Sequence, residues 1–315
     1  MRASALPQAF SRRHQADQPA AFDRAVQIGP CHYPALVRVG RSAGDSLTEA
    51  VCGLGGERFL VVAASGAPAR QVAETVAALA PVGKVLVLCG EQAALRLPAP
   101  TADTVVVAVG GRRTVLSVLG WARRSRVVSV PTTLAAMCDA SVLDAGGPSG
   151  PGSRRGPSGP DGPRAPALLW CRPDLLEGPQ HAGLYPLLRD VLAICPYHYE
   201  SVARRLRADG RYEPAVLASF VALCLEAQAG VLTFDPFGRG PGSVLRYGQG
   251  TAQGLLLAAR LAERLGLLDA AGAAAHLRLL AAAGLPTELG RKAAAARELV
   301  LLRALGNPGW PADRC

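Results

Sequence analysis

Three polar side chains near the middle of the chain could do chemistry. They are Thr132, Thr133 and Asp139, in the segment VPTTLAAMCDASV at residues 130–142. A carboxylate can act as a general base, and threonine hydroxyls can hold a bound ligand. The same residues also fit a structural role, in which the threonines cap a helix that starts at Pro131 and Asp139 bonds the backbone. The sequence alone leaves both interpretations open.

A second candidate is the pair Gly110-Gly111, which follows the apolar run TVVVAV at residues 104–109. Glycines between a strand and a helix let the backbone approach a phosphate, and the helix N-terminus then binds that anion. A double glycine at such a turn also serves turn geometry alone. The pair is therefore a candidate for dinucleotide binding, with the geometric role as the alternative.

The elements that must position these residues alternate between short β-rich runs and helix-like segments. We predict strands at residues 59–63, 84–88, 104–109 and 126–130, with helices at residues 71–79, 113–123 and 133–138. This alternation is typical of a parallel sheet flanked by helices. From residue 182 on, Leu and Ala recur at helical spacing between Gly and Pro stops. The predicted fold class is a Rossmann-like α/β N-terminal domain followed by an all-α C-terminal domain.

The composition along the chain suggests four segments. We expect residues 1–22 to be a disordered tail and residues 23–146 to form the α/β domain. Residues 147–166 are almost entirely Gly, Pro, Ser and Arg, so we expect a mobile linker or loop there. Residues 167–315 form the helical domain.

Composition also limits the class of partner. The net charge is +10, but the arginine clusters are not interleaved with aromatic residues, so we expect no nucleic acid. Scarce Lys with abundant Ala, Gly, Pro and Arg is typical of a GC-rich, for example actinobacterial, genome. The eight cysteines form no CxxC pair, which argues against a zinc knuckle. We find no apolar run of the roughly 18 to 20 residues that a membrane helix needs, so we expect a cytoplasmic protein without a membrane partner.

Several motifs occur in the order found in the dehydroquinate synthase family of sugar-phosphate cyclases. PTTLAAMCDAS at residues 131–141 and AGLPTEL at residues 283–289 match the family closely. Residues 90–92 resemble its GEQxK turn, and residues 110–111 resemble its GGG phosphate-binding turn. The resemblance covers about residues 30–306 and implies the same fold, a dehydroquinate synthase-like α/β half followed by a helical half.

The resemblance also implies a chemistry. Family members bind NAD and a divalent metal, usually zinc, and convert a heptulosonate or heptulose phosphate into a six-membered carbocycle. The family's metal ligands align with Pro186, Gln249 and Gln253, or with Asp190 for the carboxylate if the alignment is shifted. Carboxamides bind zinc poorly. We therefore predict no metal site.

The cationic side chains that bind phosphate in the family are mostly replaced. Arg189 and Arg246 align with emptied positions and could bind an anionic group in a cleft between the halves, where Asp139 would be the general base. Both arginines also fit helix-cap or surface salt-bridge roles. We predict Asp139, Arg189 and Arg246 as catalytic residues.

For the cofactor, the candidates are Gly110, Gly111, Thr132 and Thr133, because the family's segment at the two threonines contacts the nicotinamide side of the cofactor and the substrate. The Asp that the family has on the next helix is absent, and a helix flanking the cofactor crevice is missing. We therefore expect no bound cofactor, with NAD as the alternative.

These observations predict a diverged dehydroquinate synthase-like protein of specialised metabolism. It would have lost the metal- and NAD-dependent reaction and be repurposed for metal-free cyclase or lyase-type chemistry on an anionic small molecule. One alternative is a non-catalytic pseudoenzyme that acts as a binding or scaffold partner. A second is an active, carbocycle-forming 3-dehydroquinate synthase-type enzyme with a rebuilt site. We also expect a homodimer or a complex with a partner protein.

Overall fold

The computed structural model describes residues 21–29, 31–40, 43–139, 165–236, 238, 240–290 and 299–308. Nearly all of the tail predicted at residues 1–22, and the predicted linker up to residue 164, lie outside the described residues.

The first half of the chain builds a seven-stranded sheet in the spatial order β1-β2-β7-β6-β5-β3-β4. Strand β1 pairs with β2 antiparallel, and all other neighbouring strands are parallel. The strands are β1 (Ala21–Ile28), β2 (Cys31–Arg38), β3 (Arg58–Ala63), β4 (Lys84–Cys89), β5 (Thr104–Gly110), β6 (Arg126–Pro131) and β7 (Leu168–Cys171). The predicted parallel sheet is confirmed.

Helices cover the sheet, and most of the second half is helical. In the first half these are α1 (Ala43–Leu54), α2 (Ala69–Leu79), α3 (Glu91–Leu95), α4 (Arg112–Trp121) and α5 (Leu134–Met137). In the second half they are α6 (Tyr185–Ala193), α7 (Tyr199–Ala203), α8 (Pro214–Phe234), α9 (Ala252–Arg264) and α10 (Ala270–Ala282). Short 3₁₀ helices span Pro173–Leu175, His181–Gly183, Pro196–His198 and Pro241–Gly250, and a small hairpin pairs β8 (Leu302–Ala304) with β9 (Asn307–Pro308).

Strand β5 shows why the sheet forms where the sequence is most apolar. Val105, Val107 and Val109 pack on the α1–α2 side, whereas Val106 and Ala108 pack on the α4 side. A strand covered on both faces needs a continuous apolar run rather than an alternating one. Each fully buried valine contributes about 1.5 to 3 kcal/mol. This burial fixes the end of β5, and with it the position of the glycine pair.

Strand β7 corrects the predicted domain boundary, which placed all residues from 167 onwards in the helical domain. Leu168–Cys171 inserts between β2 and β6, so this segment belongs to the sheet and not to the helical half. A short apolar run such as LLWC does not distinguish strand from helix by periodicity. Its strand neighbours, which lie far away in sequence, decide its conformation.

Helix α8 corrects the statement that no apolar run reaches membrane length. It has 21 residues and is long and apolar enough to cross a membrane by length and composition. However, half of its most apolar window is buried inside the fold, and it packs against β1 and α6. Its contacts are those of a core helix.

Candidate functional site

The glycine pair lies where the order of the strands reverses. The chain runs from β3 out to the edge strand β4 and returns to β5 on the other side of β3. Gly110 ends β5, and Gly111 is the N-cap of α4. In open α/β sheets, ligands bind at such a reversal, beyond the carboxyl ends of the strands.

The two glycines have different surroundings. A Cβ at Gly110 would lie 2.8 Å from the Cβ of Thr114 and 3.0 Å from that of Ala64, so a side chain does not fit there. A Cβ at Gly111 would meet nothing within 4 Å. Gly110 therefore serves close packing of helix on strand. Gly111 leaves open space at the start of α4, which suits the approach of a phosphate to the helix N-terminus.

A cavity of about 400 Å³ lies next to the residues that follow β6. Its wall includes Thr132, Thr133, Pro68 at the start of α2, and Gln180. The backbone N–H of Thr132 donates to the carbonyl oxygen of Gly110 at 3.0 Å, which joins the cavity wall to the glycine turn. The structure thus brings together all four residues predicted to bind a cofactor.

Thr133 also has the structural role that the sequence left open. Its side chain accepts a hydrogen bond from the backbone N–H of Ala136 and so caps α5. Capping satisfies one of the free N–H groups of the first helical turn. Because Thr133 also lines the cavity, the structural and the ligand-binding interpretations are compatible.

Asp139, the predicted general base, forms an ion pair that the sequence did not predict. Its Oδ2 lies 2.9 Å from Nη1 of Arg112, the first residue of α4. The Asp139 side chain is 8% exposed and that of Arg112 is 50% exposed. A nearly buried carboxylate is thus held by a cation that solvent can reach.

Arg189 lies in a buried polar cluster next to Asp139. Its Nε donates to Oδ1 of Asp190 at 2.7 Å, and its Nη1 donates to the carbonyl of Leu245 at 3.0 Å. Gln228 of α8 completes the cluster, because its Nε2 donates to Oδ2 of Asp190 at 2.6 Å and to the carbonyl of Cys138 at 2.7 Å.

The charges of this cluster perturb one another. Burial raises the pKa of Asp190, and the guanidinium of Arg189 opposes that shift. Burial disfavours the charged guanidinium, but the carboxylates of Asp190 and Asp139 raise the pKa of Arg189 above its ordinary value. Arg189 thus already forms an ion pair with Asp190, and its positive charge also attracts the carboxylate of Asp139.

Arg246, the other predicted anion-binding residue, has a different environment. Its side chain is exposed, and its Nη2 lies 3.5 Å from the carbonyl oxygen of Gly238. Arg189 contacts the backbone of the preceding residue, Leu245, from the buried side. A buried arginine and an exposed arginine therefore meet at the same backbone segment, residues 245–246.

Residues 247–249 form a turn that is held in place by the buried contacts of Tyr247. Gly248 and Gln249 both adopt positive φ. Tyr247 is fully buried, its hydroxyl contacts Nε2 of His276 at 2.7 Å, and its carbonyl accepts from the hydroxyl of Tyr185. This network holds the turn that leads into α9.

The positions that align with the family's metal ligands have other contacts here. The carboxamide of Gln253 donates to the carbonyl of Glu288 at 2.8 Å and accepts from the N–H of Gly290 at 2.9 Å. Pro186 is buried in the first turn of α6. Within the described part of the chain, no three His, Cys, Asp or Glu side chains group to hold a metal ion. The described residues therefore do not fit a metal, and we derive no step through one.

One residue of the site, Tyr185, was missed in the sequence analysis. Tyr185 lies four residues before Arg189, and its ring is 5.8 Å from the guanidinium carbon. Residues at this spacing share a helix face, which was the available signal. No local pattern indicates the pairing of Arg112 with Asp139, because it joins two separate elements.

No family model matches the chain. Among characterised proteins, the 2-deoxy-scyllo-inosose synthase of Streptomyces lividus is 30% identical over 189 residues, which cover 51% of this chain and 48% of that protein. The 2-deoxy-scyllo-inosose synthase of Streptomyces kanamyceticus is 30% identical over 152 residues, covering 46% of this chain and 39% of that protein. The chain thus matches half or less of the length of these relatives.

Solved structures extend the similarity to nearly the whole fold. A crystal structure of 2-deoxy-scyllo-inosose synthase has a TM-score of 0.76 at 20% identity and covers 91% of this chain and 94% of that chain. A 2-epi-5-epi-valiolone synthase from Streptomyces hygroscopicus has a TM-score of 0.68 at 16% identity and covers 93% of this chain and 96% of that chain.

The ligands of these neighbours overturn one expectation. A 2-deoxy-scyllo-inosose synthase with a TM-score of 0.75 was solved with carbaglucose-6-phosphate, NAD⁺ and Co²⁺, and the valiolone synthase was solved with NAD⁺ and Zn²⁺. The expectation of a protein without cofactors is therefore wrong; it gave too much weight to individual substitutions and too little to the retained glycine turn. The predicted resemblance is confirmed: the chain has the dehydroquinate synthase-like fold and is similar in sequence to the sugar-phosphate cyclases of that superfamily.

Proposed function

We propose that this chain is a sugar-phosphate cyclase-type enzyme with a rebuilt site. It binds NAD at the carboxyl edge of the sheet and acts on an anionic sugar. The observation that carries the proposal is the glycine turn Gly110-Gly111, which is open at Gly111 and is joined by a hydrogen bond to Thr132 in the wall of a cavity that also includes Thr133. This replaces the interpretation that we placed first on sequence grounds, in which the NAD-dependent reaction is lost.

The geometry suits a dinucleotide in two ways. The first turn of α4 offers backbone N–H groups and the positive end of the helix dipole, and Gly111 leaves room for a pyrophosphate there. The cavity of about 400 Å³ falls within the usual range of small-molecule sites, and we assign one nucleoside of the dinucleotide to it.

Under this proposal each residue has a defined task. When bound, NAD supplies a hydride acceptor for the oxidation of a substrate hydroxyl. Asp139 accepts the proton of that hydroxyl, since a carboxylate within hydrogen-bond reach can act as a general base. The buried positive charge of Arg189 stabilises the carboxylate of Asp139. The exposed Arg246 binds the anionic group of the sugar.

A non-catalytic binding or scaffold role is the second candidate. One observation favours it. Arg189, which was expected to bind the anionic ligand, is instead paired with Asp190. A second copy of the chain or another protein as partner, and a cytoplasmic location, also stay proposals.

Titration with NAD⁺, followed by calorimetry and thermal shift, tests the proposed function in wild type and in Gly111→Ala. A methyl group at Gly111 meets no protein atom, so the fold should persist, but it occupies the space proposed for the pyrophosphate. We expect wild type to bind NAD⁺ and Gly111→Ala to bind at least about tenfold more weakly, equivalent to about 1.4 kcal/mol. Gly230→Ala, near the C-terminal end of α8 and also with open space at its Cβ position, is the matched control and should bind like wild type.

Activity is measured separately as phosphate release from a hexose 6-phosphate in the presence of NAD⁺. Release that is lost in Asp139→Asn supports the enzyme. Binding of NAD⁺ without any release supports the scaffold role instead. If wild type does not bind NAD⁺ at all, the proposed site is wrong.

A further inference from the structure

Arg112 connects the proposed dinucleotide site to the proposed general base. It directly follows Gly111, so its backbone belongs to the helix turn assigned to the pyrophosphate. Its guanidinium is half exposed and forms an ion pair with Asp139, which solvent barely reaches. The same side chain is thus accessible to a ligand and committed to an internal carboxylate.

Asp139 in turn belongs to a balanced set of charges. The carboxylates are Asp139 and Asp190, and the cations are Arg112 and Arg189. Gln228 ties Asp190 to the carbonyl of Cys138, the residue before Asp139. These contacts run from the glycine turn in the α/β half to α6 and α8 in the helical half.

An anion at the start of α4 would disturb this balance. A guanidinium has five donors in a planar fork and binds phosphate and carboxylate with similar geometry. A pyrophosphate next to Gly111 therefore competes with Asp139 for Arg112. Because Arg112 is half exposed, its side chain can turn towards the ligand without breaking apolar packing.

We infer that Arg112 is a positioning residue that is shared between Asp139 and the dinucleotide phosphate. Without a dinucleotide, Arg112 holds the carboxylate of Asp139. When the phosphate binds, Arg112 moves towards it, the ion pair between Arg112 and Asp139 breaks, and the Asp139 carboxylate can accept a proton from the substrate. This inference rests on the proposed function, since it requires a dinucleotide at the glycine turn.

Calorimetric titration with NAD⁺ of wild type, Arg112→Ala, Asp139→Asn and the double variant tests the inference. Arg112→Ala should weaken binding by about 10- to 100-fold, the effect of losing one charge-assisted hydrogen bond. Asp139→Asn removes the competing anion, so it should tighten binding severalfold while Arg112 is present. In the Arg112→Ala background the same substitution should have no effect.

Two further variants separate positioning from general charge or folding effects. Arg112→Lys should recover part of the lost affinity, and Arg113→Ala, which removes the next exposed arginine of α4, should bind like wild type. Independent, additive effects of Arg112→Ala and Asp139→Asn would overturn the sharing of Arg112 while leaving the proposed function intact. Failure of wild type to bind NAD⁺ would instead overturn the proposed function, and this inference with it.

Discussion

The ion pair between Arg189 and Asp190 makes a strong prediction about stability. The Asp190 side chain is fully buried and that of Arg189 is 6% exposed. The substitution Asp190→Ala would leave a buried guanidinium with the carbonyl of Leu245 and a more distant carboxylate, and Nε2 of Gln228 would lose an acceptor. The uncompensated charge, rather than the loss of attraction alone, sets the size of the effect.

The magnitude follows from measured cases of this kind. Removing one partner of a buried ion pair costs about 3 to 5 kcal/mol. With an unfolding entropy of about 2.1 cal/mol/K per residue, a chain of 315 residues loses about 5 to 8 °C in Tm. Replacing both residues, as Arg189→Met with Asp190→Leu, should recover most of this loss, because an apolar pair of similar volume is often as stable as a buried ion pair.

Urea unfolding followed by circular dichroism, together with thermal unfolding, measures these effects. The matched control is Asp209→Ala, which removes the carboxylate of a solvent-exposed pair with Arg207 and should change stability far less. Our reasoning about burial is refuted if Asp190→Ala destabilises no more than the control. It is also refuted if the double variant Arg189→Met/Asp190→Leu loses as much free energy of unfolding as Arg189→Met and Asp190→Leu, measured singly, lose together.

Two further predictions concern the helical half. Burial lowers the pKa of His276, so the folded state binds fewer protons than the unfolded state, and stability should fall as pH decreases through about 6.5. In His276→Gln, which keeps an acceptor for Tyr247, unfolding midpoints between pH 5 and 7 should depend less on pH; an unchanged slope would contradict this. Gln253→Ala removes two hydrogen bonds to the loop at residues 288–290, so hydrogen exchange at the amide of Gly290 should become about tenfold faster, and an unaltered rate would speak against this clamp.

Local features of the sequence were sufficient to predict the strands and turns that carry the site. The run at residues 104–109 is continuously apolar because both faces of β5 are covered, and the glycine pair after it marks the start of α4. Thr133 caps α5 through a contact three residues away, which a local motif encodes. The order of such motifs was also enough to predict the fold that the similar solved structures share.

The arrangement of charges in the site, in contrast, was decided by tertiary structure. Arg112 reaches Asp139 only because the ends of β5 and β6 are neighbours in the sheet, so that α4 and α5 begin side by side. Gln228, which donates a hydrogen bond to Asp190, lies 38 residues further along the chain. Periodicity and spacing report which face of an element is buried, but not which other element packs against it. The partners of a buried charge therefore appear only when the distant elements are packed together.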